Sequence, residues 1–100
     1  MKNEEVVPTY YGTTPVFDED TLPEKLRKSH VTKAGTWGVI RVLEGSLRYV
    51  IEDTAEMQIL TPECPGIVFP EQSHRVEPLG RMRMRVEFYD HSPSPAEQTQ

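Results

Sequence analysis

The chain has 100 residues, the length of one small domain, and 36% of them are hydrophobic. Sixteen acidic residues against eleven basic ones give a net charge of −5, which argues against nucleic acid or an anionic membrane surface as the main partner. A single cysteine excludes an intrachain disulfide. Since no apolar run approaches the ~18 residues of a membrane span, we expect a cytoplasmic protein.

The first predicted elements are an extended segment and a short helix. Residues 9–17 are predicted to form an edge strand or arm, because Pro8 and Pro15 lie beside and within them. The run Thr21-Leu22-Pro23-Glu24 has the form of a capping box, and Pro23 suits a first helical turn. We therefore expect one or two helical turns here, and no other segment sustains the 3.6-residue apolar period of a helix.

The rest of the chain predicts short strands separated by turn residues. The clearest pair is 37–43 and 47–52, interpreted as a hairpin in which Gly45 supplies the positive φ of a tight turn. Ile40 and Val42 share one face of the first of these strands. The later strands are predicted at 57–60, 66–69, 73–77 and 82–89, the last two pairing across 78–80.

The last predicted strand alternates strictly between apolar and polar residues. One face carries Met82, Met84, Val86 and Phe88, and the other carries Arg83, Arg85, Glu87 and Tyr89. About seven short strands with frequent turns predict an all-β domain, either a sandwich or a closed barrel. We place this domain at residues 1–90, with 1–8 as a loose arm and 91–100 as a disordered tail.

The remaining candidates for a functional site are histidine and carboxylate side chains, because the motifs of three other kinds of site are absent from the sequence. The sequence has no glycine-rich nucleotide loop, no G-x-S-x-G elbow and no cysteine pair with zinc-ribbon spacing. His30 and His74 lie beside predicted strands, whereas His91 falls in the tail. His74 shares the alternation phase of Val76, so its imidazole is expected to face the interior, where it needs a partner such as a metal.

Several short blocks resemble a known family. Gly66-x-x-x-Pro70-x-x-x-His74 resembles the second half of a cupin signature. Four blocks are similar to the N-terminal domains of tellurite-resistance TehB proteins and their stand-alone YeaR-like relatives. These are Leu22-Pro23-Glu24, His30-x-Thr32-Lys33-x-Gly35-Thr36-Trp37, His74-Arg75-Val76-Glu77-Pro78 and Glu87-Phe88-Tyr89.

The resemblance implies a cupin-type β-barrel, that is, a double-stranded β-helix or jelly roll with at most one short helix. It also implies a role in tellurite or related stress resistance, a homodimer, and a possible functional link to a separate methyltransferase. The chain itself is not expected to be a methyltransferase, because it lacks an S-adenosylmethionine-binding strand-turn-helix. We expect a cavity lined by Ile40, Val42, Tyr49, Phe69 and Val76.

In cupins, two strand segments deliver ligands to one metal, and the resemblance carries this role to His30 and His74. The match is incomplete, because Gly38 occupies the place of the usual glutamate and Thr32 that of a second histidine. The Glu-Phe-Tyr block therefore suggests Glu87 as third ligand. The set would suit one divalent ion, either Zn, Fe or Mn.

The third ligand has an alternative in Glu71, three residues before His74. Glu87 shares a face with Arg83 and Arg85, so an ion-pair ladder on a solvated face is the competing interpretation of that carboxylate.

Lys33, Trp37 and Arg75 are candidates for the rim of an anion-binding mouth, because a cation beside ordered donors favours an oxyanion. Plain surface charge is the alternative for the two cations, and a core or barrel-end plug for Trp37.

Three functions stay open at this point. The first is a small binding or accessory domain for a metal ion or small anion. The second is a metal-dependent oxygenase or isomerase, although no complete catalytic motif is present. The third is a dimerisation domain without a ligand.

Overall fold

The computed structural model describes residues 10–93, which form two β-sheets and one short helix. The predicted arm 1–8 and most of the predicted tail, residues 94–100, lie outside the described residues. The elements are β1 Tyr10–Thr13, β2 Phe17–Asp18, α1 Glu24–Arg27, β3 Trp37–Glu44, β4 Leu47–Ile51, β5 Glu56–Leu60, β6 Gly66–Val68, β7 His74–Pro78 and β8 Arg83–Tyr89.

The strands divide into two antiparallel sheets. The larger sheet has the order β1-β8-β3-β6, with β2 also pairing β8, and the smaller sheet has the order β5-β4-β7. The predicted all-β class with one short helix is confirmed. Within the described residues the sheets do not close on one another, so the predicted cupin-type barrel is not confirmed.

The predicted hairpin at Gly45 is wrong, because the chain passes there from one sheet to the other. β3 pairs β6 and β8, whereas β4 pairs β5 and β7. The predicted pairing of β7 with β8 fails in the same way. Each of these strands has one apolar face, and placing consecutive strands in opposite sheets buries both faces against each other.

Gly45 is nevertheless required at this crossing. Its φ is 77°, and a Cβ built on it would overlap the carbonyl oxygen of Arg81 and lie 3.0 Å from the Cα of Met82. The residue is therefore needed for a close approach of two backbone segments as well as for its conformation.

The core lies between the sheets and follows the predicted alternation. Ile40 and Val42 of β3 are buried, and Met84 and Val86 of β8 are buried beside them. The largest side chains that are almost completely buried are Tyr49, Leu47, Leu60, Met82 and Met84. Burial of this apolar surface, worth about 25 cal/mol per Å², is the main force that holds the two sheets together.

The short helix begins without the predicted capping box. Thr21 instead accepts a hydrogen bond from the backbone N–H of Asp18 at 2.8 Å, and the Asp18 carboxylate accepts from the backbone N–H groups of Asp20 and Thr21. This local turn competes with capping, because its short polar side chains are already engaged. The helix N-cap residue is Pro23, which has no side-chain cap bond.

Leu26 of α1 packs against the core, and the helix lies next to β7. Among residues 10–93 no helix has the length and hydropathy to span a bilayer.

Candidate functional site

A cavity of about 460 Å³ opens between the larger sheet, β7 and α1. This volume lies in the range of about 300–1,000 Å³ that is usual for small-molecule pockets. Its walls are mainly apolar, and the apolar side chains are Phe17, Pro23, Leu26, Ile40, Val68, Val76, Met84, Val86 and Phe88. The polar residues of the lining are Thr14, Lys25, His30, Thr32 and His74.

The structure brings the two imidazoles together in the wall of this cavity. The ring centroids of His30 and His74 are 4.2 Å apart, and the ring planes are tilted by 57°. The two residues also form an antiparallel bridge, with one N–H···O bond of 3.0 Å and one of 2.9 Å. The bridge fixes the relative position of two residues that are far apart along the chain.

Each imidazole has its Nδ1 committed to a backbone carbonyl. Nδ1 of His74 lies 2.8 Å from the carbonyl oxygen of Gln72, and Nδ1 of His30 lies 3.1 Å from that of Lys28. A carbonyl oxygen can only accept, so both Nδ1 atoms carry the proton. In the neutral ring, Nε2 is then the acceptor that remains for a ligand.

The pKa of His74 is lowered from its ordinary value of 6.5, which favours the neutral imidazole at pH 7. Burial lowers its pKa, and the neighbouring His30 lowers it further, against the Gln72 carbonyl and the Glu52 carboxylate, which act to raise it. The side chain is only 4% exposed, so desolvation of the charged form decides the balance. Its Nε2 is therefore the ring nitrogen that can accept a hydrogen bond.

A carboxylate that the sequence reasoning missed connects the segments before the two histidines. Glu52 accepts a hydrogen bond from the hydroxyl of Ser29 and another from Ser73 at 3.1 Å, and Arg75 donates to its second oxygen at 3.1 Å. These donors, Ser29 first, lower the pKa of Glu52 although burial opposes them. The repeated pair Ser-His at 29–30 and 73–74 is the sequence signal that could have revealed this connection.

The structure does not bring Glu87 to the histidines. Its carboxylate lies on the outer face of the larger sheet and accepts from Arg41 at 3.0 Å, Arg85 at 3.0 Å and Tyr89 at 3.1 Å. Burial raises the pKa of Glu87, but these three donors outweigh it and the pKa is lowered. Because β8 directs alternate side chains to opposite faces, the ion-pair interpretation describes Glu87, and a ligand role at the cavity does not.

Glu71, the alternative third ligand, is exposed and does not line the cavity. It has a φ of 63°, and its backbone N–H donates to the carbonyl of Thr32 at 2.9 Å. Its loop position therefore serves the backbone hydrogen bond to Thr32.

The predicted anion rim also lies away from the cavity. Lys33 is exposed, Arg75 pairs with Glu52 and Glu77 on the outer face of the smaller sheet, and Trp37 packs on Phe69 with ring centroids 5.0 Å apart. Lys25 of α1 lines the cavity instead, and no sequence motif marked it.

The cavity lining also differs from the predicted set of residues. Ile40 and Val76 line the cavity, and Val42 and Tyr49 are buried in the core without lining it. Phe69 is 44% exposed, does not line the cavity, and packs on Trp37.

The donor set near the histidines does not complete a metal site. Among residues 10–93 there is no group of three or more His, Cys, Asp or Glu side chains that could hold a metal ion. Structural zinc sites use four protein ligands and iron sites of the facial type use three, so two imidazoles alone do not fit either. A resident metal is therefore not supported.

Residues 12–86 match the profile of the TehB-like domain. The chain belongs to the TehB-like domain family. It is 39% identical over 84 residues to a probable S-adenosyl-L-methionine-dependent methyltransferase TehB of Haemophilus influenzae strain Rd, and 38% identical to that of strain 10810. In each case the alignment covers 79% of this chain and 28% of the relative, so the chain spans little more than a quarter of the relatives' length.

Two solved structures show the same fold as this TehB-like domain. The crystal structure of TehB from Haemophilus influenzae superposes with a TM-score of 0.76 at 29% identity, covering 94% of this chain and 36% of that one. A protein from Escherichia coli strain K12 superposes with a TM-score of 0.76 at 17% identity, covering 89% and 96%. The second likeness concerns the fold alone.

Proposed function

We propose that this TehB-like domain binds a small molecule in its interior cavity and serves as an accessory unit to methyltransferase chemistry. The observation that carries the proposal is the meeting of His30 and His74 in the wall of a preformed, mostly apolar cavity. A concave apolar site with a few convergent polar groups is the usual form of a small-molecule site.

The local structure supports binding more directly than catalysis. The imidazoles are held by backbone bonds and by the Glu52 connection, so their Nε2 atoms can orient a ligand with little loss of side-chain entropy. The apolar walls exclude water and strengthen any hydrogen bond made to those atoms. The metal-dependent oxygenase or isomerase alternative lacks a third ligand among the described residues.

The biological setting is part of the proposal. The relatives' names describe probable methyltransferases, and this chain matches 28% of their length. We place the domain in tellurite or related stress resistance, where it would capture or deliver a small molecule for a methyltransferase.

Methyl NMR on the purified protein tests the proposal. Potassium tellurite and a library of small organic acids, amines and neutral compounds are added in turn, and the methyl signals of Met84 and Val86 are followed. We expect at least one compound to shift these signals. The variant Val76→Phe, which fills the cavity, should abolish the shift, whereas Val50→Phe on the outer face of the smaller sheet should not. If no compound perturbs the cavity methyls, the domain is not a binding module of this kind.

Elemental analysis of the same samples addresses the enzyme alternative. A stoichiometric metal that is lost in His74→Ala would favour a metal-dependent enzyme over the accessory role. We expect no stoichiometric metal.

The homodimer expected from the resemblance also remains a proposal. The edge strand β5 supports it, because Met57 is 54% and Ile59 43% exposed on its outer face. Light scattering should give a dimer mass that falls toward the monomer in Ile59→Lys, and an unchanged mass would assign this edge no role in assembly.

A further inference from the structure

We propose that the cavity ligand is an organic monocarboxylate with an apolar body, and that its carboxylate is recognised by Lys25 together with the His30–His74 pair. The inference rests on the proposed function, namely that the cavity binds a small molecule. It names the chemical class of that molecule, and it disfavours a bare inorganic oxyanion as the occupant.

The apolar walls of the cavity favour a ligand whose larger part is apolar. Aromatic and aliphatic side chains such as Phe17, Met84 and Phe88 form most of the lining. An inorganic oxyanion would lose its hydration against these walls and gain few hydrogen bonds in return. A hydrocarbon tail or ring gains from the same walls by leaving water.

The polar groups of the lining indicate the charge of the ligand's polar end, called its head below. The two threonines are already engaged, since Thr14 donates to the carbonyl of Pro15 and accepts from the N–H of Val86, and Thr32 donates to the carbonyl of Thr36. The groups that remain are the Lys25 ammonium and the Nε2 atoms of the two imidazoles. The ammonium is a cation, and each imidazole becomes one on taking up a proton, which favours an anionic head.

Lys25 has no ion-pair partner among the described residues, although it neighbours acidic positions in α1. Lys28, three residues on, pairs with Glu24 at 3.3 Å. Lys25 is an exposed residue of the lining, so its ammonium is available at the cavity to pair with a ligand that carries a negative charge.

Binding of a carboxylate should take up a proton. The Nε2 of the neutral His74 ring is an acceptor, and a carboxylate can also only accept, so one proton must enter between them. The groups around His74 are His30, the edge of Tyr49 at 6.0 Å and the Glu52 carboxylate, and Lys25 belongs to the same cavity lining. The Tyr49 hydroxyl is occupied by the carbonyl of Ile67, so it cannot supply that proton readily.

Calorimetry with a matched set of probes tests the inference. We use butanoate, hexanoate and octanoate, the neutral isostere hexanamide, and potassium tellurite. Each added methylene should lower Kd by about fourfold, which corresponds to ~0.8 kcal/mol of buried CH₂. Hexanamide should bind at least tenfold more weakly than hexanoate, and tellurite should not bind in the cavity.

The proton uptake is measured by repeating the hexanoate titration in buffers of different ionisation enthalpy. We expect about one proton taken up near pH 7.5, and a Kd that rises by up to about tenfold for each pH unit above that. Proton uptake near zero would contradict the pairing of the carboxylate with His74.

Variants separate the head groups from general effects on folding. Lys25→Met should weaken hexanoate binding at least tenfold, and the control Lys28→Met, directly after the same helix, should leave it unchanged. His74→Asn keeps a donor for the Gln72 carbonyl and should abolish the proton uptake. If His74→Asn does not fold, the hexanoate titration of the parent protein in buffers of different ionisation enthalpy remains the test of the proton uptake.

Two failures are distinguishable. If hexanamide or tellurite binds as tightly as hexanoate, the ligand class is wrong and the binding function stands. If the full compound library leaves the cavity methyls unperturbed, the binding function itself is wrong.

Discussion

His30 and His74 exchange two backbone hydrogen bonds, from N–H to carbonyl oxygen in each direction, and their rings lie 4.2 Å apart. The bridge joins the segment after α1 to the first residue of β7. Because the backbones are tied, the separation of the rings does not depend on a flexible side chain. The fold therefore holds the two imidazoles in a preorganised arrangement before a ligand binds.

Glu52→Gln tests whether the carboxylate positions this pair. The variant keeps the size of the side chain and removes the charge that raises the pKa of His74. We therefore expect the pKa of His74, followed by NMR of the ring protons, to fall further below its ordinary value of 6.5. Glu56→Gln, at an exposed position of β5, is the control and should leave the titration unchanged. An unaltered His74 titration in Glu52→Gln would show that Glu52 has no influence on the pair.

Gly45→Ala tests the close approach at the crossing between sheets. A Cβ at Gly45 would overlap the carbonyl of Arg81, whereas a Cβ at Gly35 meets nothing within 4 Å. Both glycines have a positive φ, of 77° and 81°. Chemical denaturation should show a loss of about 2–5 kcal/mol for Gly45→Ala and about 1–2 kcal/mol for Gly35→Ala. Equal losses would mean that backbone conformation alone requires Gly45.

Tyr49→Phe tests the bond between the two sheets. The Tyr49 hydroxyl donates to the carbonyl of Ile67 at 2.8 Å, and its loss should cost about 0.5–1.5 kcal/mol. Burial raises the pKa of Tyr49 above its ordinary value of 10.0, so the unfolded chain releases this proton first and stability falls as the pH rises above 10. Urea denaturation from pH 8 to 11 should show this slope in the parent and a smaller slope in Tyr49→Phe. Tyr10→Phe, at an exposed ring, should retain the parent slope.

Glu87→Gln tests the ion pairs on the outer face of the larger sheet. The carboxylate accepts from Arg41, Arg85 and Tyr89, and the pKa of Glu87 is lowered, so its contribution is present above pH 4.5 and is lost as the pH falls through the lowered pKa. We expect a destabilisation of about 1–2 kcal/mol at pH 7 that disappears toward pH 3.

The control for this variant is Glu44→Gln, which removes an exposed ion pair with Arg83 at 4.0 Å and should cost less than about 0.5 kcal/mol. Loss of ligand binding in Glu87→Gln would return Glu87 to the candidate site.

The strands and their buried faces could be predicted from the sequence, because alternation is a local property of the chain. Two apolar residues at alternate positions show within a few residues which face of a strand is buried, as with Ile40 and Val42 or with Met82 and Met84. The partners of those strands could not be predicted in the same way. The turn residues at Gly45 and Gly80 are compatible with a hairpin and with a crossing between sheets, and only the burial of the opposite faces decides between them.

Only those residues of the candidate site that lie in a recognisable motif could be predicted from the sequence. His30 and His74 stood in blocks that resemble the family, and the structure places both in one cavity. Lys25 and Glu52 carry no such mark, because each acts through neighbours that arrive from distant parts of the chain. The Glu-Phe-Tyr block indicated Glu87 but could not indicate the direction of its side chain, which the structure places against Arg41 and Arg85.

The position of β8 has a consequence for how this protein is made. Strands β1, β2 and β3 all hydrogen-bond to β8, although they precede it in synthesis. A nascent chain that has reached only β7 can pair β3 with β6, but it lacks the strand that joins β1 and β2 to β3, so the larger sheet stays incomplete until residue 89 leaves the ribosome. Such late, non-local pairing makes acquisition of the native state slow and all-or-none. Chaperone demand during translation should accordingly end abruptly at this point of the chain.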